Sequence, residues 1–232
     1  MKKIPVLFIL LISLIKFDVY AQKSTYYLED QIFFNATYNF LVNKSDSITQ
    51  GGFSNGMNIG YIRDIPLNER RNFGLGLGIN YSIGHLYQNI RISTNDNGKT
   101  EIDRMDSGDY IRNKFSLSFI EIPFEIRYRT STIDEHKFFR AYLGFKVGYK
   151  IRQYSKTKTK INEIAYYNQH NFNWWRYGLT LNIGYSAWNL HVFYSLSEVF
   201  KDDTTADPVI PGSESIPMDM NELSIGFVFY LL

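Results

Sequence analysis

The chain has 232 residues and a formal net charge of +2, with 18 tyrosines, 18 phenylalanines, 16 glycines and no cysteine. Without cysteine the protein forms neither disulfides nor thiolate metal sites. The nearly neutral charge argues against nucleic acid as a partner. The mean hydropathy of −0.24 excludes a helical membrane protein but not one built of strands, because membrane strands alternate apolar and polar residues.

The first residues have the layout of an export signal. Lys2 and Lys3 precede an apolar run from Ile4 to Ile15, and a small residue, Ala21, follows six positions later. The apolar run is shorter than the roughly 20 residues that a membrane-spanning helix needs. We therefore predict a cleaved signal peptide over residues 1–21 and one domain over residues 22–232.

Eight later segments alternate large apolar residues with small or polar ones. In the third segment Phe73, Leu75 and Leu77 lie opposite glycines at 74, 76 and 78. A period of two over about ten residues is typical of strands that cross a membrane at a tilt. The segments cover residues 32–40, 53–61, 73–84, 115–128, 139–152, 175–186, 190–197 and 223–231.

The fourth segment changes phase. Its apolar residues occupy odd positions up to Phe119 and even positions from Ile122 onward. We interpret this change as a β-bulge near Ile120 and Glu121, and Pro123 supports it because proline has no N–H for the sheet ladder.

The connections alternate between long polar and short segments, as they do between the outer and periplasmic sides of outer-membrane barrels. A soluble lipocalin-like barrel has the same period, but its apolar face points inward. Here the other face is too small and polar to be a core. We therefore predict an all-β fold, an antiparallel up-and-down transmembrane β-barrel of about eight strands in the outer membrane. Its predicted interfacial aromatic residues are Tyr61, Tyr81, Tyr128, Tyr177, Tyr185, Trp175 and Trp188.

The predicted lumen carries many charges. Because isolated buried ions are costly, we expect these charges to pair and form a polar plug. In particular, Glu121 or Glu125 should contact a cation on the fifth segment. The alternative is a binding site for an anionic ligand or an ion path. The predicted cluster contains Glu121, Glu125, Arg127, Arg140, Lys146, Lys150 and Arg176, and Arg129 and Arg152 extend the same two faces.

Few residues indicate other chemistry. His191 and Ser195 share the lumenal face, with Glu222 on the neighbouring strand, but nothing around Ser195 resembles a nucleophile elbow. The other three histidines lack ligand spacing. We predict no catalytic, cofactor or metal site.

The outer loops offer a different possibility. The loop after the fifth segment mixes lysines with Tyr166, Tyr167, Phe172 and Trp174, and we predict that these aromatic residues face a partner protein or surface glycan. The alternative is a solvated loop next to interfacial aromatic residues. Residues 201–219 are acidic and contain prolines, and they fit either an ordered lid or a mobile strap.

The fourth and fifth segments resemble PorT-like outer-membrane β-barrels of the Bacteroidota. The resemblance rests on Phe119–Tyr128, FIEIPFEIRY, and Ala141–Tyr149, AYLGFKVGY. It implies an outer-membrane location and, from the family's name-giving members, a part in type IX secretion. The end of the chain, Leu223–Leu232, resembles the signal that the barrel-assembly machinery recognises.

These features favour a non-enzymatic barrel that serves as a structural or accessory subunit of a secretion or uptake assembly, with outer-membrane lipid around it and a protein partner at its outer loops. A narrow pore for small solutes is the alternative, and an enzyme at the barrel rim is a third hypothesis.

Overall fold

The computed structural model describes residues 30–94, 100–130, 139–167, 171–186, 188–202, 204–208 and 214–231. The predicted signal peptide, His136 and His170 lie outside these residues. The strands are β1 (Gln31–Val42), β2 (Asn55–Pro66), β3 (Phe73–Tyr87), β4 (Ile90–Thr94), β5 (Thr100–Arg104), β6 (Arg112–Arg129), β7 (Phe139–Lys158), β8 (Glu163–Tyr167), β9 (Trp175–Tyr185), β10 (Trp188–Glu198), β11 (Thr205–Ala206), β12 (Ile216–Pro217) and β13 (Asn221–Leu231).

Eight of these strands form a closed antiparallel barrel in the order β6-β3-β2-β1-β13-β10-β9-β7, and pairing between β6 and β7 completes the ring. Closure satisfies the backbone hydrogen bonds that an open sheet edge would leave unpaired in lipid. The eight predicted segments are these eight strands, so the predicted fold is confirmed. The described residues include no helix long and apolar enough to span a membrane.

The connections differ at the two ends of the barrel. At one end β1 meets β13 at the pair Ile32 and Leu231, and only two residues separate β9 from β10. At the other end the longer connections contain β4, β5, β8, β11 and β12. The first end is therefore periplasmic and the second faces the cell exterior.

The outward face of the barrel is apolar. Ile122 on β6 and Leu143 on β7 are both more than half exposed, as residues that contact lipid should be. All seven predicted interfacial aromatic residues also point outward. In contrast, alternate residues of each barrel strand are buried in the lumen.

The predicted bulge in β6 is wrong. Every odd position of β6 is buried from Asn113 to Arg129, and the register with β3 is the same on both sides of Pro123, with Leu77 opposite Phe124 and Asn80 opposite Glu121. The irregularity lies in β7 instead, where Ser118 pairs with Arg152 and Phe119 with Lys150, which leaves Ile151 as the extra residue.

The apolar phase change has another cause. The upper inward residues of β6 belong to a hydrophobic cluster under the outer connections, which we call the cap. Because water rather than lipid surrounds this part, burying apolar side chains stabilises it. The cap core contains Leu41, Ile48, Leu86, Ile90, Ile92, Ile102, Phe115, Leu117, Phe119, Phe172, Val199, Phe200, Ala206, Ile216, Met218 and Met220.

Candidate functional site

The lumen brings together most of the predicted charged residues. All seven members of the predicted cluster lie on inward positions of β6, β7 or β9, and each is at most 8% exposed. Arg129 is also buried, as predicted. Arg152 is exposed, because the extra residue at Ile151 shifts the phase of β7 and turns this side chain outward.

Glu121 is the centre of the first ion-pair network. Its carboxylate lies 3.2 Å from Lys146 Nζ and 2.6 Å from Arg176 Nη2. The amide of Asn80 donates to the same carboxylate at 2.7 Å. Arg176 continues the network across the lumen to Glu222, at 2.8 Å. The predicted contact between Glu121 and a cation on the fifth segment is confirmed by Lys146.

Arg127 is the centre of a second network nearer the periplasmic end. Its guanidinium lies 2.9 Å from Glu125 and 3.2 Å from Asp64, and Asp64 also pairs with Arg129 at 2.8 Å. Asp64 and Glu222 were not among the predicted members of the charge cluster. Both carboxylates occupy inward positions of their strands, so the alternation along each strand could have identified them.

The glycines of the barrel wall make room for these long side chains. A Cβ atom on Gly76 would lie 2.6 Å from Arg127 Nε, and one on Gly148 would lie 2.9 Å from Glu121 Cγ. Arg127 could not adopt its position beside a larger residue at 76. The glycine face is thus not hollow, because charged side chains from neighbouring strands fill the space.

Aromatic rings and small cavities complete the interior. Lys146 Nζ lies 3.8 Å from the Phe193 ring centroid, and Arg176 Cζ lies 4.0 Å from that of Phe119. The lumenal cavity beside Lys146 and His191 has a volume of about 30 Å³, and the one beside Arg176 and Glu222 about 10 Å³. Such volumes hold one or two water molecules.

Two predicted members of the cluster lie toward opposite ends of the lumen. Arg140 donates to the backbone oxygen of Ser186 at 3.2 Å, beside the periplasmic turn. Lys150 donates to the backbone oxygen of Phe172 at 2.8 Å, directly beneath the cap. Both cations therefore hold connections in place.

Comparison with known families agrees with this architecture. The family model described as "Outer membrane protein beta-barrel domain" matches residues 20–201. The chain belongs to this outer-membrane β-barrel family. The protein is accordingly an outer-membrane protein.

Two crystal structures of Ail, the attachment invasion locus protein of Yersinia pestis, are similar to this outer-membrane barrel at 14% and 12% sequence identity, with TM-scores of 0.33 and 0.30. They cover 86% and 87% of this chain and 97% and 99% of their own, and the second is a complex with the heparin analogue sucrose octasulfate. No curated protein sequence matches the chain.

The three residues considered for hydrolysis do not converge in this outer-membrane barrel. His191 Nδ1 lies 2.5 Å from the Asn182 side-chain oxygen, whereas Ser195 donates to the backbone oxygen of Ser197 at 2.7 Å. Glu222 is bonded to Arg176 and Asn39. Each group thus has a structural partner in the lumen. Among the described residues, no three histidine or carboxylate side chains are grouped as a metal site would need.

The four aromatic residues predicted to face a partner lie in different surroundings. Strands β7 and β8 form a hairpin that rises above the barrel, with Tyr167 and Trp174 exposed and Tyr166 half-buried. Phe172 is fully buried in the cap core, where its ring stacks on Phe200 at a centroid distance of 4.7 Å. The prediction that Phe172 faces a partner is therefore wrong, because the hydrophobic effect draws this ring into the cap.

The connection from β10 to β13 is an ordered lid in its described part. Strands β11 and β12 pair with each other, and Met218 N donates to Thr204 O at 3.0 Å. Ala206, Ile216 and Met218 are buried in the cap core. The sequence left a lid and a strap as alternatives, and these buried side chains favour the lid.

Proposed function

We propose that this protein is a non-conducting, non-enzymatic accessory subunit of the outer membrane, which presents its cap to a partner protein at the cell surface. The observation that carries the proposal is the filled lumen. Two ion-pair networks cross the barrel, and the cavities beside them are no larger than a few water molecules. A conducting path needs a continuous column of water, and a lumen filled with paired side chains leaves little room for one.

The cap supports the second half of the proposal. Its own hydrophobic core, together with the lid, gives the described parts of the outer connections a defined shape. A preorganised surface loses little conformational entropy when it binds. The cap is therefore suited to recognition of a partner.

The tip of the β7–β8 hairpin is the surface we assign to the partner. Ile161 is 90% exposed, Ile111 is 61% exposed, and Ile164 is 46% exposed. The backbone N–H of Ile111 donates to Lys158 O at 2.8 Å, which holds Ile111 beside the hairpin. These side chains lie beyond the lipid-facing part of the barrel, and apolar groups gathered in water mark contact surfaces. The partner should offer an apolar patch.

The resemblance of β6 and β7 to PorT-like barrels fits an accessory role. Neither the family match nor the solved structures support a part in type IX secretion, and the proposal does not include it.

Conductance tests the first half of the proposal. The purified protein, inserted into planar lipid bilayers, should produce no current steps, because side chains fill its lumen. A matched variant, Glu121→Ser with Arg176→Ser, removes the central network and should conduct if it folds. Stable current steps from the unmodified protein would favour the narrow pore and contradict the proposal.

Site-directed photo-crosslinking tests the second half. A photoreactive residue at position 161 should give a discrete crosslinked product on intact cells. The matched control at exposed position 70, in the periplasmic turn between β2 and β3, should not give that product. The same products from both positions, or none from position 161, would contradict a partner at the hairpin tip.

A further inference from the structure

Strand β8 is an open edge of the sheet that forms the barrel. Strand β7 is longer than its barrel neighbour β9, which pairs with it only from Phe139 to Tyr149. Above that level β8 takes the place of β9 and pairs with β7 from Tyr154 to Lys158. On its other side β8 has no partner strand among the described residues. The sheet that closes on itself within the membrane therefore has a free edge outside it.

The turn of the hairpin determines which backbone groups of β8 are free. Thr159 N donates to Asn162 O at 2.8 Å, so these two residues form a hydrogen-bonded pair of the ladder. Bonded and non-bonded pairs alternate along an antiparallel ladder. The register then assigns the bonds with β7 to Ile164 and Tyr166. The residues of β8 whose N–H and C=O groups point away from β7 are Glu163, Ala165 and Tyr167.

This edge is exposed and held in place. Glu163 and Ala165 are exposed, and Tyr167 is 59% exposed. Lys156 pairs with Glu163 across the hairpin, and the ring centroid of Tyr154 lies 5.8 Å from that of Tyr167. Strands β6 and β3 continue the sheet on the far side of β7. A strand supported in this way loses little conformational entropy when it pairs with another.

The free backbone groups indicate what binds to the edge. An extended polypeptide offers donors and acceptors at the same spacing as the row of groups on β8. Proteins usually protect such an edge with lysine, proline or a bulge. The sequence of β8, EIAYY, contains neither lysine nor proline, and its register with β7 is regular. The edge is therefore suited to pairing with another strand.

We propose that β8 binds the partner protein by strand addition, with an extended segment of the partner lying against Glu163–Tyr167. The inference rests on the proposed function, because it states how the partner at the hairpin tip is held. Backbone hydrogen bonds to the three outward residues would supply affinity. An apolar partner side chain beside Ile164, which is 46% exposed, would supply specificity.

Hydrogen exchange of the purified barrel in micelles tests whether the edge is free. The amides of Ile164 and Tyr166 should exchange slowly, because they donate to β7. The amide of Ala165 should exchange about tenfold faster or more, since a group open to water needs no local unfolding to exchange. Slow exchange at Ala165 would mean that the edge is already covered, and it would overturn the proposal.

Substitution of Ala165 tests the strand addition itself. Ala165→Pro removes the outward N–H and places ring atoms there, but it breaks no bond to β7, and edge strands accept proline at such positions. Ala165→Val is the matched control, because it keeps the N–H and favours a strand. With a photoreactive residue at position 161, the crosslinked product on intact cells should fall about tenfold or more in Ala165→Pro. It should be unchanged in Ala165→Val.

The outcomes separate this inference from the proposed function. Slow exchange of the Ile164 and Tyr166 amides in Ala165→Pro confirms that the hairpin of the variant is intact. An undiminished product in Ala165→Pro, or an equal loss in Ala165→Val, would overturn strand addition and leave the partner at the hairpin tip. Absence of the product from the unmodified protein would contradict the proposed function and this inference together.

Discussion

The lumen and the cap are two interiors of one barrel, and they have opposite chemistry. The inward positions of β6 change from Phe115, Leu117 and Phe119 in the cap to Glu121 and Glu125 in the lumen without any break in alternation. The outward positions change in the reverse sense, from cations above to apolar residues below. Strand β6 thus runs from a part of the protein that water surrounds into a part that lipid surrounds.

The difference shows how the surroundings of a strand determine its interior. Where water surrounds the wall, the hydrophobic effect favours apolar side chains inside. Where lipid surrounds the wall, moving an apolar side chain inward gains nothing from that effect, and polar groups avoid lipid by facing the lumen. The lumen is then held together by ion pairs, hydrogen bonds and close packing against glycine.

Removing the central carboxylate should have the largest effect on the lumen. The variant Glu121→Gln keeps the side-chain shape but leaves Lys146 and Arg176 buried without their shared anion. Breaking a buried ion pair from one side costs about 3–5 kcal/mol. We expect a loss of that size in guanidinium unfolding of the barrel in lipid vesicles, followed by tryptophan fluorescence.

The matched control is Glu163→Gln, which removes an exposed carboxylate that also pairs with two lysines. It should leave the unfolding midpoint unchanged. If Glu121→Gln is equally harmless, the lumen is wet enough to screen its charges, and the contrast between the two interiors fails.

Truncating a cap residue should have a smaller and more local effect. The variant Phe115→Ala removes a ring that packs against Phe172 and Phe200, at centroid distances of 5.2 Å and 5.7 Å. The cavity should cost the cap about 3 kcal/mol. Proteolysis of intact cells should therefore cut the outer connections faster, while the barrel still shows its gel shift on boiling.

Phe53→Ala is the control for this variant, because Phe53 is also a phenylalanine near the outer end but is 67% exposed. Its cleavage rate should match that of the unmodified protein. Loss of the gel shift in Phe115→Ala would mean that the cap and the lumen unfold as one unit.

The same contrast explains which parts of the structure the sequence could predict. Alternation identified all eight barrel strands and the direction of their faces, because lipid and lumen impose a strict period of two. Alternation failed in the upper part of β6. The apolar residues at odd positions 115–119 were assumed to face lipid, as the apolar residues at even positions from 122 onward do. The β6 bulge that this assumption required is not there, and the irregularity at Ile151 of β7 occurs where the pattern of large and polar residues gave no warning.

Contacts across the lumen were harder to predict than strand faces. The pair Glu121 and Lys146 joins adjacent strands and follows from their pairing. The pairs Arg127–Asp64 and Arg176–Glu222 join strands that are not neighbours in the barrel, so they depend on the register of several strands at once. The burial of Phe172 likewise required knowledge that the outer connections form a core.

Close packing in the lumen gives a third prediction, of intermediate size. The variant Gly76→Ala places a methyl group 2.6 Å from Arg127 Nε, so the guanidinium must move away from Asp64 or Glu125. Overpacking of this kind costs about 1–3 kcal/mol. The unfolding assay in vesicles should show that loss, whereas Gly108→Ala, at a site with no atom within 4 Å of the new methyl group, should show none. Equal stability of both variants would mean that the lumen is loosely packed.

The smallest expected effect concerns the exposed ion pair of the β7–β8 hairpin. The hydrogen bond from Lys156 lowers the pKa of Glu163 below its ordinary value of 4.5, and the same bond raises the pKa of Lys156 above 10.5. A lowered carboxyl pKa stabilises the hairpin above pH 4.5, and this contribution is lost as the pH falls through the lowered value. The raised pKa of Lys156 stabilises the hairpin below pH 10.5, and this stabilisation is lost as the pH rises through the raised value. The pair therefore supports the hairpin between these limits.

Carboxyl NMR of the barrel in micelles can measure this effect directly. Glu163 should titrate below 4.5 in the unmodified protein and return toward 4.5 in Lys156→Met, since that variant removes the donor. High salt should weaken the shift, because water surrounds both side chains and mobile ions screen exposed charges. The ion pairs around Glu121, which is fully buried, should keep their stabilising effect under the same conditions. If the pKa of Glu163 changes neither with salt nor in Lys156→Met, the hairpin is shielded from solvent as the lumen is. The hairpin and the lumen would then differ less than their surroundings imply.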